Sequence, residues 1–196
     1  MQRCDCMKRI YQTAAEASLC CLLSCGVSAL PVKPVRIVMH YGVPCLDCAQ
    51  PLLEGEIGRI IKRADGRVQI VLDPSKPILQ KRFAVAHELG HYLLGHLDRP
   101  PEPEDECDAD RFADGVLMPL CVLYGVRAFD TSTISRVCKV PYTAAQRRSD
   151  GFKDFRKKES LKAYLSSKCT ISSGSLSTAA NKKTPAAYNC RHFLHI

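Results

Sequence analysis

Arg82-Phe83-Ala84-Val85-Ala86-His87-Glu88-Leu89-Gly90-His91-Tyr92-Leu93-Leu94-Gly95-His96 places two histidines four residues apart, with a glutamate directly after the first. The stretch has no proline, and Phe83, Ala86/His87, Gly90/His91 and Leu94 recur at three and four, the period of a helix with one face toward a core. A helix is predicted from Ile78 to Leu97. Four helical residues turn about 400° and rise about 6 Å, so His87 and His91 leave one face in adjacent turns, where two imidazole nitrogens can reach one ion. Glu88 lies about 100° round from His87, where a carboxylate can serve a water molecule beside the ion without ligating the ion itself. These residue types at this spacing point to hydrolysis, with zinc acidifying the water and Glu88 taking its proton. His87 and His91 are the candidate ligands and Glu88 the candidate general base.

A tetrahedral ion that keeps one position for water needs a third protein ligand. A third histidine at HExxHxxGxxH spacing requires glycine at 94 and histidine at 97. The chain has Leu94 and Leu97, with Gly95 and His96 one place off. The remaining source is a second helix. Glu102, Glu104, Asp105, Glu106, Asp108 and Asp110 cluster around the end of the stiff loop Arg99 to Pro103, and a helix is predicted from Glu104 to Met118, broken by Pro119. Asp108, Glu104 one turn earlier, the soft ligand Cys107 and the other members of this acidic cluster are candidates from this helix.

Upstream, Glu56 to Lys62 and Arg67 to Leu72 are β-rich runs joined around Asp65-Gly66, a hairpin signal because a tight turn needs positive φ and glycine supplies it. Lys8 to Ser24 reads as an amphipathic helix. Ile10, Ala14, Ala17 and Cys21 follow helical spacing, and Glu16 interrupts the apolar run that would otherwise suggest a leader ending at Leu22-Leu-Ser-Cys25. The prolines of Leu30-Pro31-Val32-Lys33-Pro34 make an extended connector, and Val35 to Tyr41 a short helix. Downstream, Ser132 to Cys138 and Tyr142 to Arg148 are predicted helices around Lys139-Val140-Pro141, with helix–turn–helix character and arginines near the end of the second.

Hydrophobic residues make up 46% of the 196-residue chain, enough for a packed core, and no run approaches the ~20 apolar residues of a membrane span. The twelve cysteines are scattered without a regular framework, so reduced structural thiols and a cytoplasmic location are expected. Cys45 and Cys48 have CxxC spacing but lack a second pair or a flanking βαβ pattern; a metal or redox role for them stays open. The net charge of +8 is uneven, with fourteen Lys and Arg from Arg127 to Arg191 against four acids. Such a basic region can be a solvated surface packed on the preceding domain, a nucleic-acid contact or a recruiter of protein substrate. From Ser160 to Thr184 the composition drifts to Ser, Thr, Lys, Ala and Asn and reads as disordered, while Tyr188 to Ile196 is a candidate apolar anchor.

The stretch from Arg82 to His96, followed by Asp108-Ala-Asp-Arg-Phe-Ala113 and Leu117-Met-Pro119, resembles the ImmA/IrrE family of zinc metallopeptidases. Leu22-Leu23, Gly26-Val27 and Leu30-Pro31-Val32, then Tyr41-Gly42-Val43, are similar to that family's amino-terminal region. The resemblance covers about Lys8 to Phe155 and is closest over 82–119. It implies an α+β, zincin-like (gluzincin-like) metallopeptidase domain with a small β-sheet and two metal-bearing helices, followed by a helical HTH-like extension. In those terms residues 1–7 are a flexible terminus, 8–125 the peptidase domain, 126–159 the basic helical region and 160–196 a low-complexity tail. The resemblance implies Zn2+ held by His87, His91 and Asp108, which occupies the place of the family's glutamate before the alanine and is one methylene shorter. It also implies a bacterial or phage endopeptidase that cuts a helix–turn–helix transcriptional repressor of a phage, mobile element or stress regulon, relieving repression. The alternative is a non-catalytic DNA- or repressor-binding regulator with a structural metal. The fourth coordination position separates the two: it is left to water in a catalytic site and filled, by Cys107 or His96 here, in a structural one.

Overall fold

The computed structural model describes residues 13–100 and 102–157, in which seven helices and a three-stranded sheet alternate with short loops. Helix α1 (Ala14–Ser24) is capped by Thr13, whose Oγ1 accepts the Glu16 N–H at 3.2 Å. The expected helix start at Lys8 lies outside the described residues. Helix α2 (Pro34–His40) begins on its proline, where the missing N–H costs the helix nothing.

Strands β2 (Gly58–Lys62) and β3 (Val68–Leu72) pair antiparallel with Ile60 opposite Ile70, and Gly66 takes φ +79° in the turn between them. The hairpin is therefore as expected. Strand β1 (Cys45–Asp47), which sequence reasoning did not anticipate, adds parallel to the other side of β3 and gives the order β1-β3-β2. Strand β2 is thus an edge. Ile70 and Leu72 are buried in the core that the sheet shares with the helices.

Helix α3 (Ile78–Leu94) carries the two histidines. It stops before the predicted Leu97 because Gly95 adopts φ +81°, and the chain turns into a 3-10 segment over His96–Asp98. Apolar spacing alone continues through Leu97, so the glycine overrides it. Helix α4 (Asp105–Leu117) packs between α3 and α1. A Cβ on Gly90 would stand only 3.1 Å from Ala109 Cα and 3.1 Å from Phe112 Cδ1, so the glycine lets α4 lie close against α3. Further along α4 a Cβ on Gly115 would overlap Ser18 Oγ of α1.

Helices α5 (Leu120–Gly125), α6 (Thr131–Cys138) and α7 (Tyr142–Lys157) complete the fold. Sequence reasoning missed α5 and ended α7 at Arg148. Ile134, Cys138, Val140, Ala145 and Phe152 belong to the same core cluster as Leu89 and Phe112. Arg147 and Arg148 of the basic region pack on α4, Arg147 staying exposed. Arg148 donates to Met118 O (2.7 Å) and Asp114 O (2.9 Å), and Arg147 pairs with Asp110 and Asp114 at 3.4 Å each. At the base of α3, Arg82 donates to Val32 O, Cys138 O and Lys139 O, tying the connector before α2 and the end of α6 to the helix that carries the histidines. No helix among the described residues is long and apolar enough to cross a membrane. The expected disordered tail and its apolar anchor, residues 160–196, lie outside the described residues.

Candidate metal centre

His87 and His91 emerge from α3 in adjacent turns, and their Nε2 atoms stand 3.0 Å apart. The third member of the group is Glu106 of α4, with Oε2 3.1 Å from His87 Nε2 and Oε1 3.5 Å from His91 Nε2. Among the described residues these three form a group of ligand atoms within 4.8 Å of one another. Three such donors around one tetrahedral ion at about 2.0–2.1 Å are separated by about 3.3 Å, close to the distances found here. The donor set, two neutral imidazoles and a carboxylate, suits zinc.

The expectation that Asp108 supplies the third ligand is corrected by this geometry. Asp108 Oδ1 accepts from Arg111 Nη1 at 2.8 Å, and its residue is absent from the cleft that His87, His91 and Glu106 line. The cause is helical phase. Ala109, Phe112 and Val116 set the buried stripe of α4; Glu106 and Asp110 flank it on one side and Asp108 on the other, since two residues turn about 200°. The other candidates also lie elsewhere: Glu104 is the exposed residue before α4, and Cys107 is exposed. Cys45 and Cys48 are half-buried free thiols near β1, outside the group.

Each histidine has a partner behind it. Asp110 Oδ1 lies 2.9 Å from His87 Nδ1, and Arg147 of α7 holds the other Asp110 oxygen at 3.4 Å. A carboxylate only accepts, so His87 Nδ1 carries a hydrogen toward Asp110, which leaves Nε2 as the ligand atom once the ring is neutral. His96 Nδ1 lies 3.0 Å from His91 Nδ1. The sequence offered His96 only as a ligand and Asp110 only as a member of the acidic cluster, although the i,i+4 spacing of Glu106 and Asp110 places both on one face of α4.

The electrostatics follow from burial among carboxylates. Burial opposes a charge on His87, but the hydrogen bond with Asp110 and the charges of Glu88, Asp110 and Glu106 outweigh it and raise its pKa. Burial and then the neighbouring His87 charge lower His91 to about 4, so its ring is neutral at ordinary pH. Asp110 is lowered, first by its bond with His87. Glu88 turns toward the sheet, where its Oε2 accepts the Ile60 N–H of β2 at 2.8 Å. Burial pushes Glu88 up to about 7 against the opposing charge of His87. A carboxyl near neutrality is suited to taking and returning a proton.

These groups line a cleft of about 540 Å³ between β2 and the two helices, with Glu56, Arg59 and Phe83 on its walls. Residues 53–150, half of the chain, match the model of the peptidase family M78, described as the IrrE N-terminal-like domain. The matched span contains every residue of the group and of its supporting bonds. No curated protein matches the chain.

Proposed function

Since the chain belongs to the IrrE N-terminal-like domain family of M78 peptidases, we propose that it is a zinc-dependent endopeptidase using His87, His91 and Glu106 as ligands and Glu88 as general base. The observation that carries this reading is the triangle of His87 Nε2, His91 Nε2 and Glu106, whose 3.0, 3.1 and 3.5 Å sides suit three corners of a tetrahedron opening into the cleft.

Bound zinc would supply Lewis acidity, lowering the pKa of a water molecule and polarising a peptide carbonyl. The rest falls to the chain. Glu88, held at Oε2 by Ile60, keeps its carboxylate beside the histidines; it takes the proton of the attacking water and returns it to the leaving amine. The exposed Glu106 side chain lines the cleft with the two histidines, so an ion held by the three would face a space wide enough for substrate. The two residues that would close it in a structural site do not: His96 is engaged with His91 through Nδ1, and Cys107 is outside the group. This favours the peptidase over a regulator with a structural ion.

The substrate proposed is a helix–turn–helix transcriptional repressor, as the likeness in Arg82–His96 implies, cut to relieve repression in the cytoplasm of a bacterial host. Nucleic-acid contact would have to use basic residues other than Arg147 and Arg148, which bond to α4. The test is incubation of the zinc-loaded chain, and of its Glu88→Gln variant, with helix–turn–helix repressors encoded beside its gene, with products mapped by mass spectrometry. Cleavage at a defined bond by the wild type alone is expected. A zinc-loaded wild type that binds repressor or DNA and cuts nothing would instead establish the regulator.

A further inference from the structure

The support behind His91 is longer than the one behind His87, and it is built from residues the proposed reaction does not use. On an uninterrupted helix His96, five residues after His91, would point about 140° away from it. The left-handed Gly95 ends α3 and folds the 3-10 turn back, so that the two rings meet edge to face with centroids 5.1 Å apart and their Nδ1 atoms at 3.0 Å. On the far side, His96 Nε2 faces Asp105 Oδ1 at 3.5 Å, with only 7% and 6% of the two side chains exposed. Asp105 in turn is fixed by the Arg99 guanidinium at 2.6 and 3.2 Å and by the Glu102 N–H at 2.8 Å.

Two neutral arrangements fit the 3.0 Å contact, with the hydrogen on either Nδ1 atom, and the Asp105 carboxylate beside His96 Nε2 selects between them. The carboxylate of Asp105 favours a hydrogen on His96 Nε2, which leaves His96 Nδ1 as an acceptor. The hydrogen of the 3.0 Å contact then belongs to His91 Nδ1, and the His91 Nε2 lone pair faces His87 and Glu106. We propose that Asp105 and His96 are positioning residues of the metal centre, an aspartate–histidine relay that locks His91 in the Nδ1–H tautomer and aims its Nε2 at the ion. The proposal rests on the assignment of His91 as a ligand. It gives the two histidines unequal support: a carboxylate directly on His87, and an imidazole between carboxylate and ligand on His91. The relay also gives the Gly95 turn a purpose, since a helix continued to Leu97 would carry His96 out of reach.

Two measurements test the relay on the full chain. Long-range 1H–15N NMR of the histidine rings reads the tautomer directly in the metal-free protein, and competition against a chromophoric chelator reads zinc affinity. His91 is expected as the Nδ1–H tautomer in the wild type. His96→Phe fills similar space without an acceptor; it should mix the His91 tautomers and weaken zinc binding about 10–100-fold. His96→Gln, whose amide oxygen can accept from His91, should restore most of the affinity and the tautomer, a rescue that simple packing would not give. An Nε2–H tautomer for His91 in the wild type overturns the relay whatever the variants do. So does a His96→Phe protein with unchanged tautomer and affinity. A wild type that shows the Nδ1–H tautomer but binds no zinc refutes the proposed function and leaves the relay standing.

Discussion

Replacing Glu106 by aspartate tests whether the third ligand depends on reach. The substitution keeps the charge and withdraws the carboxylate by about 1.5 Å, one carbon–carbon bond. Its oxygens now stand 3.1 and 3.5 Å from the two Nε2 atoms, near the separation a shared ion requires. Helix α4 cannot advance to compensate, because at Gly90 a single added carbon would already sit 3.1 Å from Ala109 Cα. The shorter side chain should therefore behave almost as alanine does. Structural zinc sites draw about 10–16 kcal/mol from four ligands, so one ligand is worth about 3–4 kcal/mol, or 10²–10³-fold in zinc Kd. Competition with a chelator of known affinity should rank wild type first, Glu106→Gln next, and Glu106→Asp and Glu106→Ala last. Asp108→Ala, which removes only the partner of Arg111, should bind zinc like the wild type. The reasoning fails if Asp108→Ala releases the metal while Glu106→Asp retains it.

Gly90→Ala places a methyl against Ala109 and Phe112; overpacking of about 1–3 kcal/mol should exceed the roughly 1 kcal/mol gain in helix propensity and lower the melting temperature, with zinc affinity falling as α4 is pushed out. An unchanged or raised melting temperature would show that the helices separate freely. Arg82→Met keeps the apolar stem but strips the donors from Val32 O, Cys138 O and Lys139 O, and denaturant titration should show a loss of about 2 kcal/mol or more. In the metal-free protein, Glu88 holds its proton to about pH 7 when folded but only to about 4.5 when unfolded. Stability from this group is therefore full below pH 4.5 and lost as pH rises to 7; Glu88→Gln should flatten that decline, and an identical pH profile would contradict it.

The parts of this structure that were legible in the sequence are those fixed by near neighbours. The period of Phe83, His87, His91 and Leu94 defines α3 and puts both histidines on one face, and Asp65-Gly66 marks the hairpin, because each signal is local. The end of α3 was obscured by Leu97, whose apolar character continues the helical pattern although Gly95 has already reversed the backbone. Strand β1 is three residues long and exists only through pairing with β3, more than twenty residues away, so no local pattern announces it. The charge-rich continuation of α7 past Arg148 looked like solvated surface, yet Phe152 is buried in the core. Choosing among six clustered acids required the phase of α4 against α3. The apolar stripe of Ala109, Phe112 and Val116 narrows the choice to two flanks, Glu106 with Asp110 or Asp108 alone; only the packing of Gly90 on Ala109 decides which flank meets the histidines.

Arg147 stands on α7 but bonds to Asp110, which holds His87, and its guanidinium lies 5.3 Å from the centre of the Phe83 ring on the wall of the cleft. If this contact steadies His87 as a ligand, docking of the last helix and occupancy of the metal site are thermodynamically linked. Whatever factor the docked helix contributes to ion affinity, the ion must return to the docked helix, because the two paths around the cycle have equal free energy. Amide exchange along α7 should slow when zinc is added, and a protein that loosens this helix would draw metal out of the chain without touching a ligand.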